Sequence, residues 1–484
     1  MSAAGTAIIW FRDDLRLADN PALAAAAASG RRVLALYVLD EDSPGVRALG
    51  GAALWWLAGS LRALKAELGQ HGVPLVLRRG EAGRIVPDVA RAAGADLVAF
   101  NWRASKAEQA VDEAVARHLS AAGVTVERTL GHLLHAPGSV RGTGGGLPRT
   151  FSSFMRAAVK GRDIGRALPV PRLHGAAPLP SDDLEDWALE PTQPDWAGGL
   201  RTTWHPGEAA ARARLEAFLA DGLAGYGEGR DRPDQTHVSR LSPYLRFGEI
   251  SPRQVLLAAL AAGDAGTVPA KDVQKFEAEL YWREFSHHLL FAVPDLARRN
   301  LQASFDAFPW RECPGDLKKW QKGRTGYPIV DAGMRQLWQT GWMHNRVRMI
   351  VASFLCKHLL LPWQDGELWF WDTLVDADLA NNAASWQWVA GSGADAAPYF
   401  RIFNPVLQGE KFDPEGTYVR TYVPELKDVP ARLIHQPWTQ PLELTRYGVR
   451  LGRDYPEPMV EHGAARDRAL RAFEHTRKDL RSAG

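Results

Sequence analysis

The sequence predicts two units of different class: a doubly wound, five-stranded parallel α/β sheet (Rossmann-like), then an all-helical region. Two patterns carry this expectation. Over residues 7–130 short apolar runs alternate with helical stretches, whereas from residue 207 onward helical periods dominate and strand-like runs become rare. Length agrees, because 484 residues exceed what one hydrophobic core usually organises.

Taken in order, Ala7–Phe11, Val33–Val38, Leu75–Leu77, Leu97–Phe100 and Val124–Val126 read as strands. Strands separated by helices pair in parallel, with the crossovers covering both faces. Between the second and third strands, Leu54, Leu57, Leu61, Leu64 and Leu68 recur at steps of three and four, the mark of a helix with one buried face. After the first strand, Arg12–Arg16 forms a charged loop at the strand ends where such folds bind ligands. No GxGxxG is present, so a dinucleotide fingerprint is missing.

Residues 131–206, rich in Gly, Pro, Asp and Ser, read as a long wrapping linker. The Gly142–Gly146 run lacks a Lys-Ser/Thr ending and a preceding strand, and is read as connection rather than phosphate cradle. Residues 207–484 form the second domain and hold most of the tryptophans; Ala465–Leu480 reads as a charged, solvated helix.

Composition narrows the function classes. With 58 Lys plus Arg against 56 Asp plus Glu, indiscriminate nucleic-acid binding is not expected, and any DNA site is a local basic patch. Met1–Ala7 carries no signal-peptide pattern and no run of 18 uncharged apolar residues follows, so a cytoplasmic protein without membrane contact is expected. Cys313 and Cys356 read as two core thiols. The 18 tryptophans need explaining, since indoles stack well and give up an electron.

The informative stretch runs from Gly323 to Pro405 and reads as a ligand pocket. Asn345 and Met349 share one face of a helix starting near Met343, while Val347, Ile350, Val351 and Phe354 give it an apolar side. Asp376 and Asp378 share a face if extended and suit hydrogen bonds from a ribose, a flavin edge or arginines. A metal pair is the rival reading, but further ligands do not cluster with them, so no metal is expected.

Together with Ile9–Arg16 and Tyr281–Phe285, the segments Gly326–Asp331, Gly341–Met349 and Trp386–Trp388 resemble the DNA photolyase and cryptochrome family, most of all bacterial cyclobutane-dimer photolyases. The resemblance implies an FAD inside the helical domain, contacted by Tyr226, Val238, Ser239, Leu241, Ser242, Arg283, Arg348, Asp376, Asp378 and Asn382. In it, Arg348 and Asp376 match an ion pair against the isoalloxazine, and Asn382 matches the residue facing flavin N5, where an amide serves as donor or acceptor. DNA and lesion contacts carry over to Arg230, Glu279, Trp282, Asn345, Arg346, Met349, Trp388 and Lys411. Trp282 and Trp388 would offer flat faces to a flipped dimer, Arg346 would neutralise charge, and a protonated Glu279 would hydrogen-bond a thymine carbonyl. Trp386, Trp363 and Trp310 match an electron-hopping chain.

The implied activity is light-driven repair of cyclobutane pyrimidine dimers in DNA by a monomer with no obligate protein partner. Residues 1–130 become an antenna-type domain, with folate favoured over deazaflavin as second chromophore on the strength of Glu108, although Ala107 replaces an expected Asn. The alternative is a cryptochrome-type photoreceptor without repair activity, for which a long extension past the helical domain would be expected. Repair of (6-4) photoproducts is the third option, but that branch typically places His where Asn345 stands.

Overall fold

The computed structural model describes residues 5–142, 144–160, 162–396, 398, 399 and 401–482; Met1–Ala4 and Thr143 of the glycine run lie outside them. Five strands form, β1 Thr6–Phe11, β2 Arg32–Leu39, β3 Leu75–Arg79, β4 Ala95–Asn101 and β5 Thr125–Thr129. They lie in the order β3-β2-β1-β4-β5, and every pairing is parallel. Helices α1 Pro21–Ala28, α2 Gly51–Gln70, α3 Ala82–Ala92 and α4 Lys106–Ala121 make the crossovers.

Strand alternation sorts the core into two layers. Ala7, Ile9 and Phe11 pack with Val33, Ala35 and the α2 leucines 57, 61, 64 and 68 on one side. Ile8 and Trp10 face the other way, onto Val86 and Val89 of α3 and Val111 and Val115 of α4. Leu54, the remaining leucine of the predicted stripe, packs against the first of these layers while only partly buried.

The linker is more ordered than its composition suggests. It contains α5, Phe151–Val159, whose Thr150 side chain caps the Ser153 N–H at 3.3 Å. It then returns along the sheet, with Gly175 bridged to Val33 and Asp182 N–H donating to Leu77 O at 3.0 Å.

The helical unit contributes α6 Gly198–Thr203, α7 Glu208–Asp221, α8 Tyr226–Gly229, α9 Ser242–Arg246, α10 Pro252–Asp264, α11 Ala270–Ala292, α12 Pro314–Gln321 and α13 Pro328–Thr340. Next come α14 Asn345–Ser353, which runs into a π-helical turn at Phe354–His358, then α15 Trp363–Thr373, α16 Leu379–Ala390 and α17 Pro405–Phe412. The chain's last helix spans His462–Ser482. No helix among the described residues is long and apolar enough to cross a membrane, and both cysteine thiols are free.

The charged loop Arg12–Arg16, expected as a ligand-binding edge, is instead a seam between the units. Arg16 is fully buried and donates to Gly248 O at 2.8 Å, Asp19 O at 2.7 Å and Gly131 O at 2.6 Å. Asp13 pairs with Arg246 at 2.6 Å, and Glu208 accepts the Leu17 N–H at 2.6 Å. Gly248 has φ +65°, and a Cβ there would meet Asp13 O at 2.1 Å, so this approach requires glycine. Arg16→Met would strand three buried carbonyls and should lower stability by about 3 kcal/mol. A thermal unfolding midpoint equal to that of the parent would show that the seam does not rest on this guanidinium.

Candidate functional site

Most positions singled out in the helical unit lie on four segments, the α8–α9 region, α11, α14 and the stretch from Asp376 into α16, while Lys411 is on α17, Trp363 on α15 and Trp310 between α11 and α12. Asp272 sets up the first by accepting the N–H groups of Gly225 at 2.9 Å and Gly227 at 2.8 Å, which places Tyr226 at the start of α8. Tyr226 is buried edge-on against Phe218 and Phe276. Arg214 grips the following loop through Ser239 O at 2.7 Å and Val238 O at 3.2 Å. Leu241 is buried and Ser242 exposed, and the Ser242 hydroxyl accepts from Trp342 Nε1 at 3.2 Å, tying the loop to the entry of α14.

His344 caps α14 by accepting the Arg346 N–H on Nδ1 at 3.2 Å. From that helix Arg348 donates to both oxygens of Asp376, at 3.1 and 2.8 Å, and to Met343 O at 2.8 Å. Arg246 reaches the same stretch through Ala377 O at 2.7 Å. Asp378 caps α16 by accepting the Asn381 N–H at 2.7 Å. Burial opposes its charge, but His287 when protonated, Arg246, Arg283 and that N–H outweigh it and hold the carboxyl below its usual range. Asn382, one turn on, donates to Glu367.

Several polar atoms around these segments are buried with no protein partner: His344 Nε2, both His287 nitrogens, Arg346 Nε and His132 Nδ1. Orphaned donors beside paired arginines and carboxylates suit a large ligand rich in nitrogen and oxygen, as FAD is. His132, His287 and Asp378 also lie close enough to hold a metal ion, with ligand atoms within 4.8 Å of one another. Arg283 Nη2, however, sits 2.6 Å from His132 Nε2, and a second cation beside that guanidinium would be repelled. Arg283 otherwise donates to His132 O at 2.9 Å and so braces the segment that carries His132.

The outward-facing positions come with partners that the sequence did not announce. Asn345 is exposed and Met349 half-buried on one face of α14. Arg346 pairs with Asp231 at 2.7 Å and lies over the Phe412 ring at 4.4 Å, which Lys411 also approaches at 5.1 Å. Glu279 is bound by Arg230 and lies 3.7 Å from Lys275, so in this state it accepts hydrogen bonds and could donate one only after the Arg230 pair opens. Trp282 stacks on Phe151 of α5 at 3.8 Å and 6°, so one of its two flat faces is already covered. Trp388 is half-buried on α16, which packs against α11.

Trp386 and Trp363 are buried in one core cluster with Trp310 partly exposed at its edge. Trp386 packs edge-on to Trp320 and Phe370, and Trp363 Nε1 donates to Asn300 at 2.8 Å. In the first unit, Glu108 lies in the first turn of α4, 3.5 Å from Arg103, and burial pushes its carboxyl up.

Comparison with known proteins agrees with this geometry. The family model for DNA photolyase matches residues 7–173, and that for the FAD binding domain of DNA photolyase matches residues 276–475. A deoxyribodipyrimidine photo-lyase of Agrobacterium fabrum is 50% identical over 97% of this chain and 98% of its own length. The enzyme of that name from Escherichia coli is 40% identical over 98% and 99%. Cryptochrome-2 of Arabidopsis thaliana is 36% identical, covering 97% of this chain and 79% of that protein. A crystal structure of a bacterial class III photolyase from Agrobacterium tumefaciens superposes with a TM-score of 0.95 at 48% identity, covering 98% of both chains. A fold of this kind around an FAD-binding helical domain defines a flavin-dependent light-using protein. The chain belongs to the DNA photolyase and cryptochrome family, and it resembles that family's repair enzymes in sequence more than its photoreceptors.

Two buried histidines make the site's proton balance measurable. Burial, with the nearby arginines, lowers His287 to about 4 and His344 to about 3 against the pull of Asp378 and Asp231. Both rings are neutral in the fold at neutral pH, and the 3.4 Å approach of His287 to Asp378 is then no ion pair. Unfolding in acid lets each ring gain a proton, so stability falls as pH drops from 6.5 towards 4, by roughly 1.4 kcal/mol per unit for one ring. His287→Gln should flatten that slope by one proton's worth in denaturant titrations; an unchanged slope would mean that the ring is already charged in the fold.

Proposed function

We propose that the protein repairs cyclobutane pyrimidine dimers in DNA under blue light, as a deoxyribodipyrimidine photo-lyase. The observation that carries this reading is the two-sidedness of α14. Arg348 holds Asp376 on one flank and Arg346 holds Asp231 on the other, with Asn345 exposed and Met349 half-buried between them. One helix thereby joins the flavin-facing ion pair to the DNA-facing residues. The relatives at 50% and 40% identity are deoxyribodipyrimidine photo-lyases, which supports repair over signalling.

FAD, bound and fully reduced, would supply one electron to the dimer on excitation and accept it back once the cyclobutane has opened. Tyr226, Val238, Ser239, Leu241 and Ser242 would cradle its phosphates, and Arg348, Asp376, Asp378 and Asn382 would meet the ring. Arg283 would orient the wall behind them through His132. On the DNA side, the open face of Trp282 and the ring of Trp388 would stack on the flipped dimer. Arg230, freed from Glu279, and Arg346, freed from Asp231, would stabilise negative charge on the lesion, and Lys411 would meet the backbone. The reaction needs charge stabilisation and no nucleophile. Trp386, Trp363 and Trp310 would pass an electron inward to an oxidised cofactor. A folate antenna near Glu108 and a monomeric, cytoplasmic state complete the reading.

Reduced holoenzyme given a dimer-containing oligonucleotide should restore thymines in blue light and not in darkness. No recovery in light would sink the repair assignment. Trp310→Phe should slow photoreduction of oxidised enzyme about tenfold, while enzyme reduced beforehand still repairs; loss of both would point to packing, not electron transfer.

A further inference from the structure

The amide of Asn382 has no freedom to choose its role. Its nitrogen donates to Glu367 O at 3.0 Å and to Glu367 Oε1 at 2.9 Å. An amide nitrogen carries two hydrogens, so both donors are used and Oδ1 is the end left over. The donor-or-acceptor role expected from the sequence therefore narrows to acceptor. Which end of an amide points where is decided by its partners, and both partners here accept.

The Glu367 side chain takes the amide on one of its oxygens, and a residue of the first unit fixes where those oxygens sit. Arg47, between β2 and α2, donates from Nη1 to Oε1 at 2.7 Å and from Nη2 to Oε2 at 2.9 Å. The two parallel bonds fix both oxygens of the carboxylate in place. The Glu367 side chain is 2% exposed, and Arg47 is its only ion-pair partner among the described residues. The loop is held against α15. Arg47 lies 4.0 Å over the Trp371 ring, and Trp371 Nε1 donates to Ala48 O at 2.9 Å. Gly51 N–H donates to Asp372 at 2.9 Å, and a Cβ on Gly50 would meet Trp371 O at 2.2 Å.

We propose that Arg47 is a positioning residue for the flavin: by forking Glu367 it fixes Asn382 with its carbonyl oxygen towards N5. This rests on the reading above that Asn382 faces N5. A carbonyl oxygen accepts from the N–H of a reduced flavin and opposes the bare lone pair of the oxidised one, so the arrangement favours the reduced cofactor. Without the fork, the buried carboxyl has no partner to keep its oxygen on the amide. The amide then turns and offers N–H to N5, which favours the oxidised form.

The test uses holoprotein reduced by light with an added thiol, followed by admission of air, with reoxidation read from the flavin's blue absorption. Arg47→Met keeps the stem over Trp371 and should speed reoxidation about tenfold; Arg47→Lys, a charge without the fork, should fall between. Glu367→Gln, whose amide can donate towards Asn382, should match Arg47→Met and gives a second route if that variant loses FAD. Asn382→Ser should also speed reoxidation, and adding Arg47→Met to it should change nothing more, because the two act in series. Faster reoxidation in Asn382→Ser with parental rates in Arg47→Met and Glu367→Gln would overturn the role of Arg47 alone. Parental rates in Asn382→Ser would overturn the placement of Asn382 beneath it. Effects that multiply in the double variant would show that Arg47 acts through domain docking and not through the amide.

Discussion

Buried charge must be matched, and at the seam between the units this constraint decides where each segment goes. Arg16 has no solvent contact, so its guanidinium draws carbonyls from three separate stretches, at Asp19, Gly131 and Gly248. Asp19 in turn accepts from Ser251 at 2.5 Å and Arg253 at 2.8 Å, and Asp13 holds Arg246. A doubly wound sheet ordinarily keeps the edge at its strand ends for a ligand; here that edge is spent on a protein surface. Arg246 carries the effect onward, since its Nε reaches the backbone between Asp376 and Asp378. Asp376 and Asp378 are therefore placed in part by contacts that begin in the first strand's loop.

The same rule explains the site's mixture of charged and neutral groups. Asp376, Asp378 and Glu367 are buried, and each is met by an arginine fork, a helix N-terminal N–H or an amide. The histidines among them are left uncharged, because burial penalises a charged ring and the nearby arginines add to that penalty. What results is a pocket wall with fixed donors and acceptors, suited to hold a ligand in one orientation without rearrangement.

The central strands were legible because buried parallel strands are nearly continuous apolar runs. The two edge strands were read short for the opposite reason. β3 ends in Arg78–Arg79 and β5 in Glu127–Thr129, polar residues that an edge tolerates and that end an apolar run on paper. Helix α5 was missed since only Phe154 and Ala158 of its nine residues are buried, too few to show a period. Motif resemblance brought Arg348, Asp376, Asp378 and Asn382 to notice, and the structure does gather them. It did not show Glu367 or Arg47, which meet across 320 positions and carry no local pattern. Nor did it show that Arg230 pairs with Glu279, or Arg346 with Asp231.

One face of Trp282 belongs to Phe151, and Phe151 belongs to the stretch that connects the units. Its N–H also donates to Asp395 at 3.1 Å, just past α16. The connection is thus part of the wall it joins to. A shortened version of this protein begun at residue 207, where the helical pattern starts, would uncover the face of Trp282 that Phe151 now covers. The functional boundary of the second unit lies upstream of its first long helix.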